Sequence, residues 1–208
     1  MSMINKNYTT YQVLFLLGVI VLILSACGRG SDNATQSEQP SGTAITVDML
    51  PDGLGRGYTV ASLEAIDNSG TGLDDGDVAP NFRMQLDDGQ YLDLSDLEGT
   101  PVVLNFWATW CGPCRAEMPD LVEQYEHNDE LVILAINTQE ELKRVQPFVD
   151  EFQMSMPVVL DKDGEIKDMY GVRGMPTSVF IGKDGKISNI WAGILTKDLL
   201  AEMLSKIL

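Results

Sequence analysis

The sequence predicts an α/β protein, a three-layer α/β/α sandwich on a mixed central sheet. Three observations predict it. The runs "PVVLNFW" (101–107) and "ELVILAIN" (130–137) are continuously apolar, as strands buried on both faces are. The stretches between and after such runs carry helical spacing, and a strand–helix–strand unit forces parallel pairing with helices packed on the sheet. Finally, "TSVFIG" and "ISNIWAG" are separated only by the turn "KDGK", so the last two strands are antiparallel and the sheet is mixed.

Taken in order, the chain opens on an address. Val13–Leu24 is a run of 12 apolar or glycine residues without charge. It is shorter than the ~20 residues a spanning helix needs and suits the apolar core of an export signal. It ends in "LSAC", where small residues before Cys27 resemble a bacterial lipobox. That resemblance implies a signal peptide over 1–27, lipidation of Cys27 and a lipid-anchored domain on the outer face of the cell membrane. An uncleaved signal anchor is the alternative. Residues 28–43 are polar and rich in Gly and Ser, as a flexible tether is. Residues 44–78 read as an irregular extension, with one strand in "YTVASLEAI" expected at an edge of the sheet.

The main domain is expected over 79–208. "FRMQL" and "YLDL" flank a turn at Gly89 and form an N-terminal β-hairpin. A helix follows the cysteines to about His127. "TQEELKRVQPFVDEFQ" (138–153) reads as a helix opened by a Thr138/Glu141 capping box, and "MPVVLD" as a short strand. "GEIKDMYG" makes a turn or two of helix. The closing "TKDLLAEMLSKIL" is amphipathic, with Leu199, Leu200, Met203, Leu204 and Leu208 on one side. At 208 residues the chain holds one domain with extras, and it contains no internal repeats. Its net charge of −17 argues against nucleic acid and anionic headgroups as partners.

Cys111 and Cys114 stand two residues apart between a buried strand and a helix. A lone Cys-x-x-Cys offers two thiolates where structural zinc takes four ligands, and the sole histidine, His127, lies at the far end of the helix. So small a ring gains little as a staple. A redox pair fits best, with no cofactor required. Cys111, at the helix N-terminus, gains thiolate stability from unpaired N–H groups and the helix dipole. It is expected to attack, and Cys114, one turn further in, to resolve the mixed disulfide. Pro113 supplies a fixed φ in the first turn. Trp110 is expected to shield the disulfide and line the partner surface, and Trp107 to be core.

"WCGPC" after "VVLNFWAT", with "GMPTSVF" about 60 residues later, resembles the thioredoxin superfamily. "APNF…LSDLEGTPVVLNFWATWCGPCRAEMP" is similar to the membrane-tethered TlpA/ResA-like thiol-disulfide oxidoreductases, of AhpC/TSA-redoxin type, over roughly Ala79 to Leu208. The resemblance implies a thioredoxin-like fold in which 138–161 is a helix–strand insert. It also implies a redox-active Cys111–Cys114 disulfide and a cis bond at Met175–Pro176 beside it. Where thioredoxin has a buried aspartate, this chain has Asn105. Glu117 stands where ResA-like proteins carry a glutamate that tunes the thiols; a carboxylate there raises a cysteine pKa or accepts the Cys114 proton, and a plain charge on the helix surface is the alternative.

The dipeptide Gly112-Pro113 is the thioredoxin pairing, and thioredoxin lies near −270 mV against about −120 mV for the oxidant DsbA. The resemblance therefore implies a reductant, recharged by a membrane electron donor of the CcdA/DsbD type. Its implied substrates are oxidised exported proteins such as apocytochrome c. Three alternatives stand beside it: an exported oxidase or isomerase, a peroxiredoxin-like peroxidase, and a non-enzymatic binding lipoprotein. Against the peroxidase, position 108 is Ala, where a threonine is expected three residues before the peroxidatic cysteine.

Overall fold

In the computed structural model, residues 42–54, 58–64 and 66–208 are described. The signal segment 1–27, Cys27 and nearly all of the 28–43 tether lie outside them. Among the described residues, no helix is long and apolar enough to cross a membrane.

Eight strands form one sheet: β1 (Thr59–Ser62), β2 (Arg83–Leu86), β3 (Tyr91–Asp93), β4 (Val102–Trp107), β5 (Val132–Thr138), β6 (Val158–Asp161), β7 (Thr177–Ile181) and β8 (Ile187–Ala192). Among the described residues four α-helices accompany them: α1 (Gly112–His127), α2 (Leu142–Phe152), α3 (Glu165–Met169) and α4 (Lys197–Leu204). The spatial order is β3-β2-β1-β6-β5-β4-β7-β8. Pairings β1/β6, β6/β5 and β5/β4 are parallel; those outward from β1 and from β4 are antiparallel. The sheet is mixed, as the sequence predicts. Every residue of β4 and β5 is buried, which is why both read as largely apolar runs without polar alternation.

Alternation along the central strands builds two cores. Val103, Trp107, Ile133, Ala135, Val158, Leu160 and Phe180 pack with α1, α2 and α4. Leu104, Phe106, Leu134, Ile136, Val159 and Val179 pack on the other face with Ile166, Tyr170 and the 3₁₀ turn Leu94–Leu97. Trp107 is fully buried and stacks on Phe148, ring centroids 4.4 Å apart.

Three expectations need correction. The strand near residue 60 is not an edge. β1 sits between β2 and β6, pairing Thr59 with Leu86 on one side and with Val159 on the other. A short strand with one apolar alternation looks like an edge strand in sequence; only its neighbours reveal both ladders in use. The rest of the extension runs along the domain. Ile45 N–H donates to Tyr91, Gly53 pairs with the backbone around Met156, and Gly76 N–H donates to Ile187. Gly53 is required there: its φ is +52°, and a Cβ would stand 2.5 Å from the Met154 carbonyl oxygen.

The Thr138/Glu141 capping box does not form. Thr138 is the last residue of β5, and α2 starts at Leu142 with Glu141 as N-cap but without a side-chain cap bond. The parallel pairing of β5 with β6 extends to Thr138↔Asp161, and that ladder outweighs the local capping signal. Leu208, expected on the apolar side of the closing helix, lies beyond the end of α4 and is half exposed; Ile207 is buried in its place because the chain tightens after Leu204.

Candidate active site

β4 ends at Trp107, and the chain turns through Ala108–Trp110 into α1. Cys111 is the N-cap of this helix, and its Sγ accepts the Cys114 N–H at 3.2 Å. A disulfide joins Cys111 and Cys114. Cys114 is fully buried and Cys111 is 3% exposed, so the little solvent contact the pair has is at Cys111. Gly112 and Pro113 are exposed, and nothing stands within 4 Å of where a Gly112 side chain would begin. Trp110 is 69% exposed beside the pair rather than packed over it. Pro119 lies within α1 on its exposed side.

The bond Met175–Pro176 is cis. Met175 is half-buried and Pro176 buried at the start of β7. The loop is tied on both sides: Thr138 Oγ1 donates to Met175 Sδ at 3.0 Å, and Gly193 N–H donates to the Pro176 carbonyl at 2.9 Å. Ile194, one residue further, is 42% exposed.

Glu117 lies one turn beyond Cys114 and is 1% exposed, so it is not a surface charge. Its Oε1 accepts Asn105 Nδ2–H at 2.8 Å, and its Oε2 accepts the Leu195 N–H at 2.7 Å. Burial pushes its pKa up to about 7, against the two hydrogen bonds that favour the ionised form. Asn105 also donates to Ser178 Oγ at 3.0 Å. The aspartate-to-asparagine departure thus has a local account: a second buried carboxyl at 105 would face Glu117, whereas an amide donates to it.

Sequence reading singles out the cysteines, Glu117, Asn105 and the Met175–Pro176 loop. It misses Leu195, Ser178 and Glu140. Leu195 acts through its backbone and leaves no compositional trace. Glu140 is buried, with its carboxylate bonded to Thr109 and Asn137. The Thr138/Glu141 capping signal covers "TQEE" (138–141), and Glu140 stands inside it as an ordinary helix-start residue.

The AhpC/TSA family matches residues 76–190. The chain belongs to that family. It is 45% identical over 140 residues to the thiol-disulfide oxidoreductase ResA of Oceanobacillus iheyensis, covering 64% of this chain and 72% of the relative. To ResA of Bacillus subtilis it is 35% identical, covering 73% and 84%. Among solved structures, a Chlorobium tepidum protein provisionally identified as the thiol:disulfide interchange protein DsbE superposes with a TM-score of 0.58. It shares 32% identity over 65% of this chain and 99% of that one. Within the family, this chain is a TlpA/ResA-like thiol-disulfide oxidoreductase of the thioredoxin superfamily.

Proposed function

We propose that the protein reduces disulfides in exported proteins from the outer face of the cell membrane, with apocytochrome c among its substrates. The observation that carries this is the cysteine pair itself: Cys111 at a helix N-terminus with the pair's small solvent contact, Cys114 sealed beneath it, and a protonatable carboxyl at the next turn. In the reduced protein, Cys111 thiolate attacks a substrate sulfur, forming a mixed disulfide and releasing the other substrate sulfur as a thiolate. Cys114 then attacks Cys111 Sγ. The Cys111–Cys114 bond closes, the second substrate sulfur leaves, and two electrons have passed to the substrate. Glu117, with its pKa near neutrality, takes the Cys114 proton as that thiol becomes a nucleophile. Trp110, Met175 and Pro176 form the surface on which the substrate chain rests. A membrane electron donor of the CcdA/DsbD type returns two electrons to the pair.

The reductive direction is supported by the Gly112-Pro113 dipeptide, and the location by the export-type segment ending in Cys27 and by the ResA relatives. Trapping with Cys114→Ser tests both chemistry and substrate. Mixed disulfides through Cys111 with exported proteins are expected, and their absence would remove the nucleophile assignment. Equilibration with a glutathione buffer tests the direction. A potential below about −200 mV fits a reductant, whereas one well above it marks an oxidase or isomerase.

A further inference from the structure

We propose that Glu140 is a positioning residue for disulfide exchange: from the corner between β5 and α2 its carboxylate holds the loop that presents Trp110 and Cys111 to a protein substrate. Glu140 is 8% exposed. Its Oε1 accepts Thr109 Oγ1–H at 2.6 Å, and its Oε2 accepts Thr109 N–H at 2.7 Å and Asn137 Nδ2–H at 3.0 Å. Thr109 therefore gives both its backbone and its side-chain donor to one carboxylate, a two-point hold that fixes orientation as well as position.

The residue it holds is the one that needs holding. Trp110 is 69% exposed, so packing does not orient it; its direction is inherited from the Thr109 backbone. Cys111 follows directly, its N–H bonded to the Ala108 carbonyl. The corner is itself built firmly. Asn137 and Thr138 end β5 in parallel register with β6, Gln139 bends the chain at a φ of +57°, and its N–H donates to the Asp161 carbonyl. The same corner also ties the Met175–Pro176 loop, through Thr138 Oγ1 and Met175 Sδ. One four-residue stretch, Asn137–Glu140, thus sets the spacing between the Trp110 loop and the Met175–Pro176 loop. A protein substrate must bridge that gap, whereas a small disulfide need only reach Cys111 Sγ.

This inference rests on the disulfide-exchange reading and not on its direction. Glu140→Gln leaves the shape but turns an N–H₂ group toward donors, so at least one of the three bonds is lost. Thr109→Val deletes only the hydroxyl donor and is the milder test should Glu140→Gln not fold. Both are made in the full-length chain and assayed in reduced form with insulin and with a small aromatic disulfide. Loss of the hold is expected to raise KM for insulin roughly tenfold in Glu140→Gln and severalfold in Thr109→Val. In both, kcat is expected to stay within twofold and the small-disulfide rate unchanged. Unchanged KM in the folded variants would overturn the proposal. So would equal losses on both substrates, which would put the damage in the sulfur pair. A wild-type protein inert to both substrates would instead sink the disulfide-exchange reading.

Discussion

The two faces of the sheet treat polar groups differently. On the face under α1, α2 and α4, positions that alternate with Val103, Trp107, Ala135 and Phe180 are filled by Asn105, Asn137 and Ser178. These bond to side chains from other elements: Asn105 to Glu117 and Ser178, Asn137 to Glu140. On the α3 face the matching positions are Leu104, Phe106, Leu134, Ile136 and Val179. The buried Asp161 there caps local backbone, accepting from Ile166 and Lys167, and Tyr170 donates to the Pro80 carbonyl. Burying polar groups costs stability unless each is partnered, and Asn105 Oδ1, Asn137 Oδ1 and Trp107 Nε1 have no partner among the described residues. One face is built for stability. The other gives up some stability to hold a carboxyl and a disulfide in place.

If that division holds, changes on the two faces separate activity from stability. The largest effect is expected from Cys111→Ser or Cys114→Ser, which should lower turnover of a protein disulfide by more than about a thousandfold. The same variants should lose only about 2 kcal/mol of stability, since the ring is short. Insulin reduction and urea unfolding of one preparation measure both. Leu134→Ala, on the α3 face, should do the reverse. The expected loss is about 3 kcal/mol, with kcat of the folded fraction within twofold of wild type. A deeper loss of kcat would show that the faces are not independent.

Glu117→Gln sharpens the contrast through pH. The folded pKa of Glu117 is raised from 4.5 to about 7. Its stabilising contribution is therefore complete below about pH 4.5 and is lost as pH rises through 7, where a buried carboxyl must ionise. The Gln variant lacks this dependence. Its stability relative to wild type should climb by on the order of 2–3 kcal/mol between pH 4 and pH 8 in urea titrations. A difference that stays flat with pH would mean that Glu117 is not held protonated by its surroundings. The smallest effect is structural: Thr196→Ala removes the N-cap bond to Leu199 N–H at 3.3 Å and should cost about 1 kcal/mol by thermal unfolding, with KM unchanged.

Much of this arrangement is legible in the chain. "PVVLNFW" and "ELVILAIN" announce buried strands because helices cover both faces, and no polar position is needed for solvent. Even the polar positions within them, Asn105 and Asn137, stand out against the apolar run, although their partners do not. The β1 strand was misplaced because two-sided pairing depends on what lies beside a strand rather than on its own residues. "TQEE" (138–141) misleads for a related reason. A capping box and a buried clamp use the same residue types, and only the distance from Glu140 to Thr109 tells them apart.

The chain alone therefore determines the order of elements, the strand-to-helix setting of Cys111 and Cys114, and the excess of acid. These follow from local periodicity and from spacing within one helical turn, and both are properties of neighbours in sequence. The tertiary structure decided the rest. It turned Glu117 from a helix-surface residue into a buried carboxyl with a pKa near 7, by closing Asn105 and the Leu195 N–H over it. It also brought Glu140 to Thr109 across 31 positions of chain. Desolvation and long-range hydrogen bonds depend on what the fold packs together, so a protonation state and a loop clamp appear only when the sheet is assembled.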